Sequence, residues 1–82
     1  MTDQQTRREL LADAARVVIG AQTGSTAMVQ RKLRVTFATA AELMKELERY
    51  DVIGPPTGTK PHDVLAAPDQ LGEILDQIRG VA

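Results

Sequence analysis

The feature that most constrains the fold of this chain is the run VQRKLRVTFATAAELMKELE, which spans residues 29–48. A short stretch with helical periodicity is followed by a basic turn at Arg34 and by a longer stretch. In the longer stretch four apolar residues recur at helical spacing: Phe37, Ala40, Met44 and Leu47. The spacing predicts an inward stripe on the second of two helices joined by a tight turn. Helix-turn-helix pairs of this layout place their second helix in the major groove of DNA.

The rest of the chain predicts a small domain around this pair. A first helix is expected from Arg7 to Ile19, after a disordered stretch at residues 1–6. Two short strands, Val52-Ile53 and Asp63-Val64-Leu65, flank a loop rich in Gly and Pro and predict a hairpin, or wing. A last helix is expected over residues 68–80. The predicted fold is α+β, mainly α: one winged helix-turn-helix domain over residues 1–82 with an added C-terminal helix.

Composition excludes several classes of function. The chain has no Cys and a single His, which removes thiol chemistry and leaves no set of metal ligands. The Gly-Lys-Ser/Thr phosphate loop is absent, so no ATPase motor is expected in this chain. No apolar run reaches the roughly 20 residues of a membrane span. We expect a soluble cytoplasmic domain that is not an enzyme, binds no cofactor and makes no membrane contact.

The net charge and the distribution of charge favour different conclusions about nucleic-acid binding. The formal net charge is −1, whereas a dedicated nucleic-acid binder is usually basic. However, Arg31, Lys32 and Arg34 lie within four residues at the predicted turn. They can contact phosphates beside the N-terminus of the second helix, or they form only a solvated basic turn.

The chain from about Leu10 to Leu65 resembles the γ domain of FtsK/SpoIIIE-type DNA translocases. The shared residues are Gln30-Arg31, Leu33-Arg34-Val35, the aromatic Phe37, Ala40-Ala41, Val52-Ile53-Gly54-Pro55, Gly58 and Val64-Leu65. The Gly24-Ser25-Thr26 entry and the last helix are most similar to actinobacterial members, which include TraB-type translocases of conjugative plasmids. The resemblance implies recognition of short DNA motifs that orient or load a motor, in chromosome segregation or plasmid transfer. The implied partners are double-stranded DNA, an FtsK-like motor in the same or a partner chain and, in some members, a site-specific recombinase.

The outward face of the second helix departs from that resemblance. Chromosomal members carry cations where this chain has Thr39 and Glu42, so the resemblance implies a changed target sequence. Glu42 can accept a hydrogen bond from cytosine N4, or it is a solvated carboxylate that pairs with Lys45 or lies unpaired beside Arg49. Ala38 can touch a thymine methyl group or only leave room for a base.

The predicted DNA-contacting set extends from the turn to the wing. Thr36 is expected to cap the second helix, Lys60 to probe phosphate or the minor groove from the wing tip, and His62 to follow it. The alternative for Lys60 and His62 is an exposed, solvated loop. The full set is Arg31, Lys32, Arg34, Thr36, Ala38, Thr39, Glu42, Lys45, Lys60 and His62. A second reading, favoured by the acidic balance, is a protein-interaction winged helix that docks a recombinase or the translocase motor.

Overall fold

Four α-helices form the framework, and a computed structural model describes them within residues 3–56, 58 and 60–80. They are α1 (Asp3–Ala21), α2 (Thr26–Leu33), α3 (Phe37–Arg49) and α4 (Leu71–Arg79). The predicted α2 and α3 are therefore confirmed, and the mainly helical class with them. The start of α1 differs from the prediction, since residues 3–6 belong to the helix and not to a disordered end.

The core lies where α1 packs against the other three helices. Buried apolar residues of α1 repeat at helical spacing, and those of α3 do the same from Ala40 to Leu47. The fully buried large side chains are Val18, Ile19, Val29, Leu43, Met44, Leu47, Val52 and Ile53. With a radius of gyration of 11.7 Å, the domain is as compact as a globular chain of this length should be.

The segment 52–65 does not form the two predicted strands. Among the described residues it makes isolated antiparallel bridges, Ile53 with Val64 and Gly24 with His62. Pro55, Pro56 and Pro61 have no N–H group to donate, so a continuous ladder cannot extend along this loop. The segment still returns on itself, because Leu65 N donates to Val52 O at 2.8 Å. Thr57 and Thr59 lie outside the described residues.

The predicted last helix is present but begins as a tighter turn. Residues Pro68–Gln70 form a 3-10 turn that leads into α4, and Gly80, at φ 74°, ends the helix as expected. Buried Ile74 and Ile78 carry the apolar stripe of α4 into the core, where this helix packs against α1. In the described part of the chain, no helix is both long and apolar enough to cross a membrane.

Candidate nucleic-acid interface

Two side-chain caps fix the helices on either side of the basic turn. Ser25 Oγ accepts a hydrogen bond from Met28 N at 3.2 Å at the start of α2, and Thr36 Oγ1 accepts one from Thr39 N at 3.1 Å at the start of α3. The Thr36 hydroxyl also donates to Thr39 Oγ1 at 3.0 Å. The predicted cap at Thr36 is confirmed. Its oxygen is already used in the cap, whereas the hydroxyl proton of Thr39 is free to donate outward.

Arg34 ends α2 in the left-handed backbone region, with φ 56° and ψ 47°. Gly is the usual residue there, because a side chain costs roughly 1–2 kcal/mol in this conformation. The backbone N–H of Arg34 donates to Gln30 O, which satisfies the cap. Its exposed side chain makes no hydrogen bond or ion pair with the described part of the chain. The conformation therefore serves to end α2, as left-handed residues commonly do at helix C-termini, and it leaves the side chain outside the cap's hydrogen bond.

Further cations lie near the α3 N-terminus. Arg31 and Lys32 are exposed in the last turn of α2, where positive charge also suits the helix dipole. Lys60 is exposed and shares a cleft with Phe37, the first residue of α3. None of these three side chains pairs with the described residues, so each is available to an anion.

The outward face of α3 contains one contact that neither sequence interpretation included. Glu42 Oε2 lies 3.2 Å from Arg7 Nη1 on α1, and Glu46 Oε2 lies 3.4 Å from Arg7 Nε. Glu42 therefore pairs with α1 and not with Lys45, and it is not left unpaired. Burial alone would lower the pKa of Arg7, but hydrogen bonds and charges from Glu42 and Glu46 outweigh burial and raise that pKa.

His62 holds the loop in place. Its Nδ1 lies 2.9 Å from Gly54 O, which makes this nitrogen the donor, and its backbone N donates to Gly24 O at 2.9 Å. The ring is half-buried, which differs from the solvated loop residue given as the alternative. Only Nε2 is left for a ligand, so any contact with DNA would come from a side chain that also positions the loop.

Phe37 corrects the predicted stripe of α3. Ala40, Met44 and Leu47 are buried as expected, but Phe37 is 57% exposed. It is the first residue of α3, beyond the part of the helix that the core covers. The ring lines a cleft of about 300 Å³ together with Pro56, Lys60, Pro61 and the residues at the start of α2. Because Phe37 shares this cleft with Lys60, it joins the candidate set.

The structure brings only part of the predicted set together. Arg34, Thr36 and Phe37 are consecutive or nearly so at the α3 N-terminus, and Lys60 lines the same cleft as Phe37. Ala38 and Lys45 are exposed and Thr39 is half-buried on α3 itself. Arg7 was absent from the sequence prediction, since a partner 35 residues away leaves no periodic signal.

Comparison with known families identifies the class of domain to which this fold and its basic turn belong. The Ftsk gamma domain family model matches residues 5–67, so the chain belongs to the FtsK gamma domain family, as its sequence resemblance predicted. Among its relatives is the DNA translocase FtsK of Streptomyces coelicolor, 50% identical over 72 residues, which covers 88% of this chain and 8% of the relative.

Two further relatives carry the same name. The DNA translocase FtsK of Mycobacterium tuberculosis is 44% identical over 72 residues, covering 88% of this chain and 9% of the relative. That of Tropheryma whipplei is 46% identical over 69 residues, covering 84% and 9%. The chain thus spans less than a tenth of the length of these curated relatives. No solved structure matched the chain.

Proposed function

We propose that this domain binds double-stranded DNA in a sequence-specific way and so orients or loads an FtsK-like translocase on its target. The observation that carries the proposal is a set of exposed cations near the α3 N-terminus with no partner among the described residues: Arg34 in the turn before α3, and Lys60 in the cleft that Phe37 lines. In this arrangement the cations clamp phosphates while α3 enters the major groove. Translocation itself would require an ATP-driven motor elsewhere in a longer protein or in a partner chain.

The segment 52–65 acts in this proposal as the wing of a winged helix. Two observations support the assignment: the segment returns on itself after α3, and it stays attached to the start of α2 through Gly24 and His62. Lys60 is thereby held beside Phe37. The Phe37 ring would pack on a deoxyribose or a thymine methyl group at the edge of the groove, which gives its exposure a use.

Removal of turn cations tests the phosphate clamp. We expect Arg31→Ala with Arg34→Ala to weaken duplex binding by about 10- to 100-fold near 0.1 M salt and to reduce the slope of log affinity against log salt by about 2. Fluorescence anisotropy over a salt series measures both quantities. Arg79→Ala, at the end of α4, is the matched control and should leave the slope unchanged. An unchanged slope in the double variant would remove these residues from the interface.

Selection of bound duplexes from a random library tests sequence specificity. An enriched motif that competes better than random duplex supports the proposal, and equal binding of every duplex at low salt ends it. Glu42→Arg should shift the selected motif more than it shifts overall affinity, because the side chain changes from an acceptor to a donor facing the bases. An unchanged motif would show that Glu42 does not read DNA.

A second candidate function is a protein-docking surface, for a recombinase or the translocase motor. The observation in its favour is Leu65, which is 58% exposed in a cleft between the end of α3 and α4. Asp51 and Glu73 line the same cleft and would suit a basic partner. Chemical-shift mapping separates the two functions: DNA should perturb Arg34, Thr39 and Lys60, whereas a docked protein should perturb the residues around Leu65 and α4.

A further inference from the structure

Arg7 connects α1 to the outward face of α3. Its guanidinium meets two carboxylates that lie one helical turn apart, through Nη1 to Glu42 and Nε to Glu46. Both contacts use only Oε2 of the acidic residue, and Glu42 Oε1 makes no hydrogen bond or ion pair with the described residues. The Glu42 side chain is 63% exposed. One oxygen is therefore tethered, while the other has no polar partner among the described residues on a side chain that is mostly exposed.

The position of Arg7 reduces the repulsion that the acidic residues of the α3 face would have with DNA phosphates. Carboxylates that approach a phosphate polyanion are repelled, and α3 presents Glu42 and Glu46 on the side that also carries Lys45. The guanidinium of Arg7 offsets one of the two negative charges. It has five N–H donors, of which the two ion pairs use two, so further donors are left for a nearby phosphate.

Tethering also restricts the Glu42 side chain. A free surface Glu samples several rotamers and loses that freedom when it binds. A contact that holds Oε2 leaves Oε1 as an oriented acceptor before DNA arrives, and such preorganisation increases selectivity for a matching donor. In the major groove the donors on base edges are the amino groups of cytosine and adenine, and Glu pairs with cytosine N4.

We propose that Arg7 is a specificity-determining positioning residue of the α3 face, which holds Glu42 so that Glu42 Oε1 accepts a hydrogen bond from a cytosine amino group in the major groove. This inference rests on the proposed DNA-binding function. It assigns part of the reading face to α1, outside the helix-turn-helix. The Arg7–Glu42 pair is exposed and by itself contributes only about 0–1 kcal/mol to stability, so the role proposed for it is orientation of Glu42 and not support of the fold.

The first test needs no DNA. In NMR spectra of the free 82-residue chain, the Arg7 Nη–Hη resonances should be distinct, because Nη1 is the nitrogen that meets Glu42, and they should move in Glu42→Gln, with a smaller change in Arg8. Arg8 is the matched reference, because it is the adjacent exposed cation on α1 and makes no contact with the described residues. An Arg7 resonance indifferent to Glu42→Gln overturns the inference whatever DNA does.

The second test measures base discrimination. The base pair read by Glu42 is first located as the one whose preference changes in Glu42→Gln. For wild type we expect about tenfold discrimination there, which a good base contact can supply. Arg7→Gln should reduce it to about threefold or less while preferences elsewhere stay unchanged, whereas Arg8→Gln should leave the discrimination at this pair unchanged. Arg7→Lys should restore overall affinity but not the discrimination, because Lys lacks the planar fork of donors.

The outcomes separate the two proposals. If wild type selects a motif and Arg7→Gln retains full discrimination at that pair, the Arg7 inference is overturned and the proposed function stands. If wild type binds all duplexes alike, the proposed function fails and the inference fails with it. Gln and Arg have similar helix propensities, so the variants should fold like the wild type. Thermal melts of each variant check this.

Discussion

The α2–α3 pair and the segment 52–65 are both needed for the proposed interface, but different kinds of interaction hold them. Local signals fix α2 and α3, because Ser25 and Thr36 cap them from neighbouring positions. The segment 52–65 is instead fixed by contacts between distant residues: Val52 and Ile53 are buried in the core, and His62 makes hydrogen bonds with Gly24 and Gly54. The start of α3 is therefore set by neighbouring residues, whereas the loop that carries Lys60 is positioned by contacts that form only in the folded domain.

Of the substitutions that test this difference, Gly24→Ala should have the largest effect on stability. A Cβ at Gly24 would collide with the carbonyl oxygen of His62 and lie 2.8 Å from its Cβ. We expect a loss of about 1–3 kcal/mol in the free energy of unfolding, typical of forced overpacking. Urea denaturation measures the loss. Amide exchange should accelerate at His62 and Gly54 more than within α3, and uniform acceleration throughout the domain would contradict the difference between the two regions.

Thr36→Ala tests the local side of the comparison. Loss of the oxygen that accepts from Thr39 N should cost about 1 kcal/mol in the free energy of unfolding. Thr36→Ser keeps the oxygen and is the control, with a smaller loss. Exchange should increase in the first turn of α3 while the His62 amide keeps its protection; a change at His62 would show that the two regions are not independent.

His62→Ala tests the loop through a side chain. Removal of the contact between Nδ1 and Gly54 O should cost about 0.5–1.5 kcal/mol, the usual net value of such a hydrogen bond. His62→Asn offers an amide N–H in a similar position and should recover part of the loss. Urea denaturation measures the free energy of unfolding of both variants. An unchanged value in His62→Ala would mean that the backbone hydrogen bonds hold the loop without the side chain.

Gly20→Ala should give the smallest effect, with the opposite sign. Gly20 lies within α1, and a Cβ there meets nothing within 4 Å. Alanine should raise the free energy of unfolding by about 0.5 kcal/mol, because it loses less backbone freedom on folding. The same substitution at Gly24 and Gly20 therefore separates close approach from helix propensity, and destabilisation at both positions would contradict this account.

The sequence allowed good prediction of features that local chemistry decides. The α3 N-cap at Thr36, the buried stripe from Ala40 to Leu47 and the end of α4 at Gly80 all followed from neighbouring residues. Phe37 shows the limit of periodicity, which gives the angle of a side chain around a helix but not how far the core extends along it. Where two strands were predicted around the proline-rich loop, the described residues form only isolated bridges, because the prolines have no N–H group to donate to a ladder.

The candidate site was harder to predict than the fold. Its cations at Arg31, Lys32 and Arg34 were visible as a cluster in the chain, and the structure leaves them unpaired with the described residues. The partner of Glu42 was not visible, because Arg7 is brought to it only by the packing of α1 on α3. Pairs that depend on tertiary packing carry no periodicity, so a local interpretation assigned Glu42 to neighbours on its own helix.

The left-handed conformation of Arg34 has a consequence for anyone who engineers this domain. A screen that rewards thermal stability alone should replace Arg34 with Gly, which adopts φ 56° without steric cost. The same replacement deletes a cation of the proposed clamp. Stability and DNA affinity are therefore expected to oppose each other at this one position, so libraries ranked by melting temperature would discard good binders.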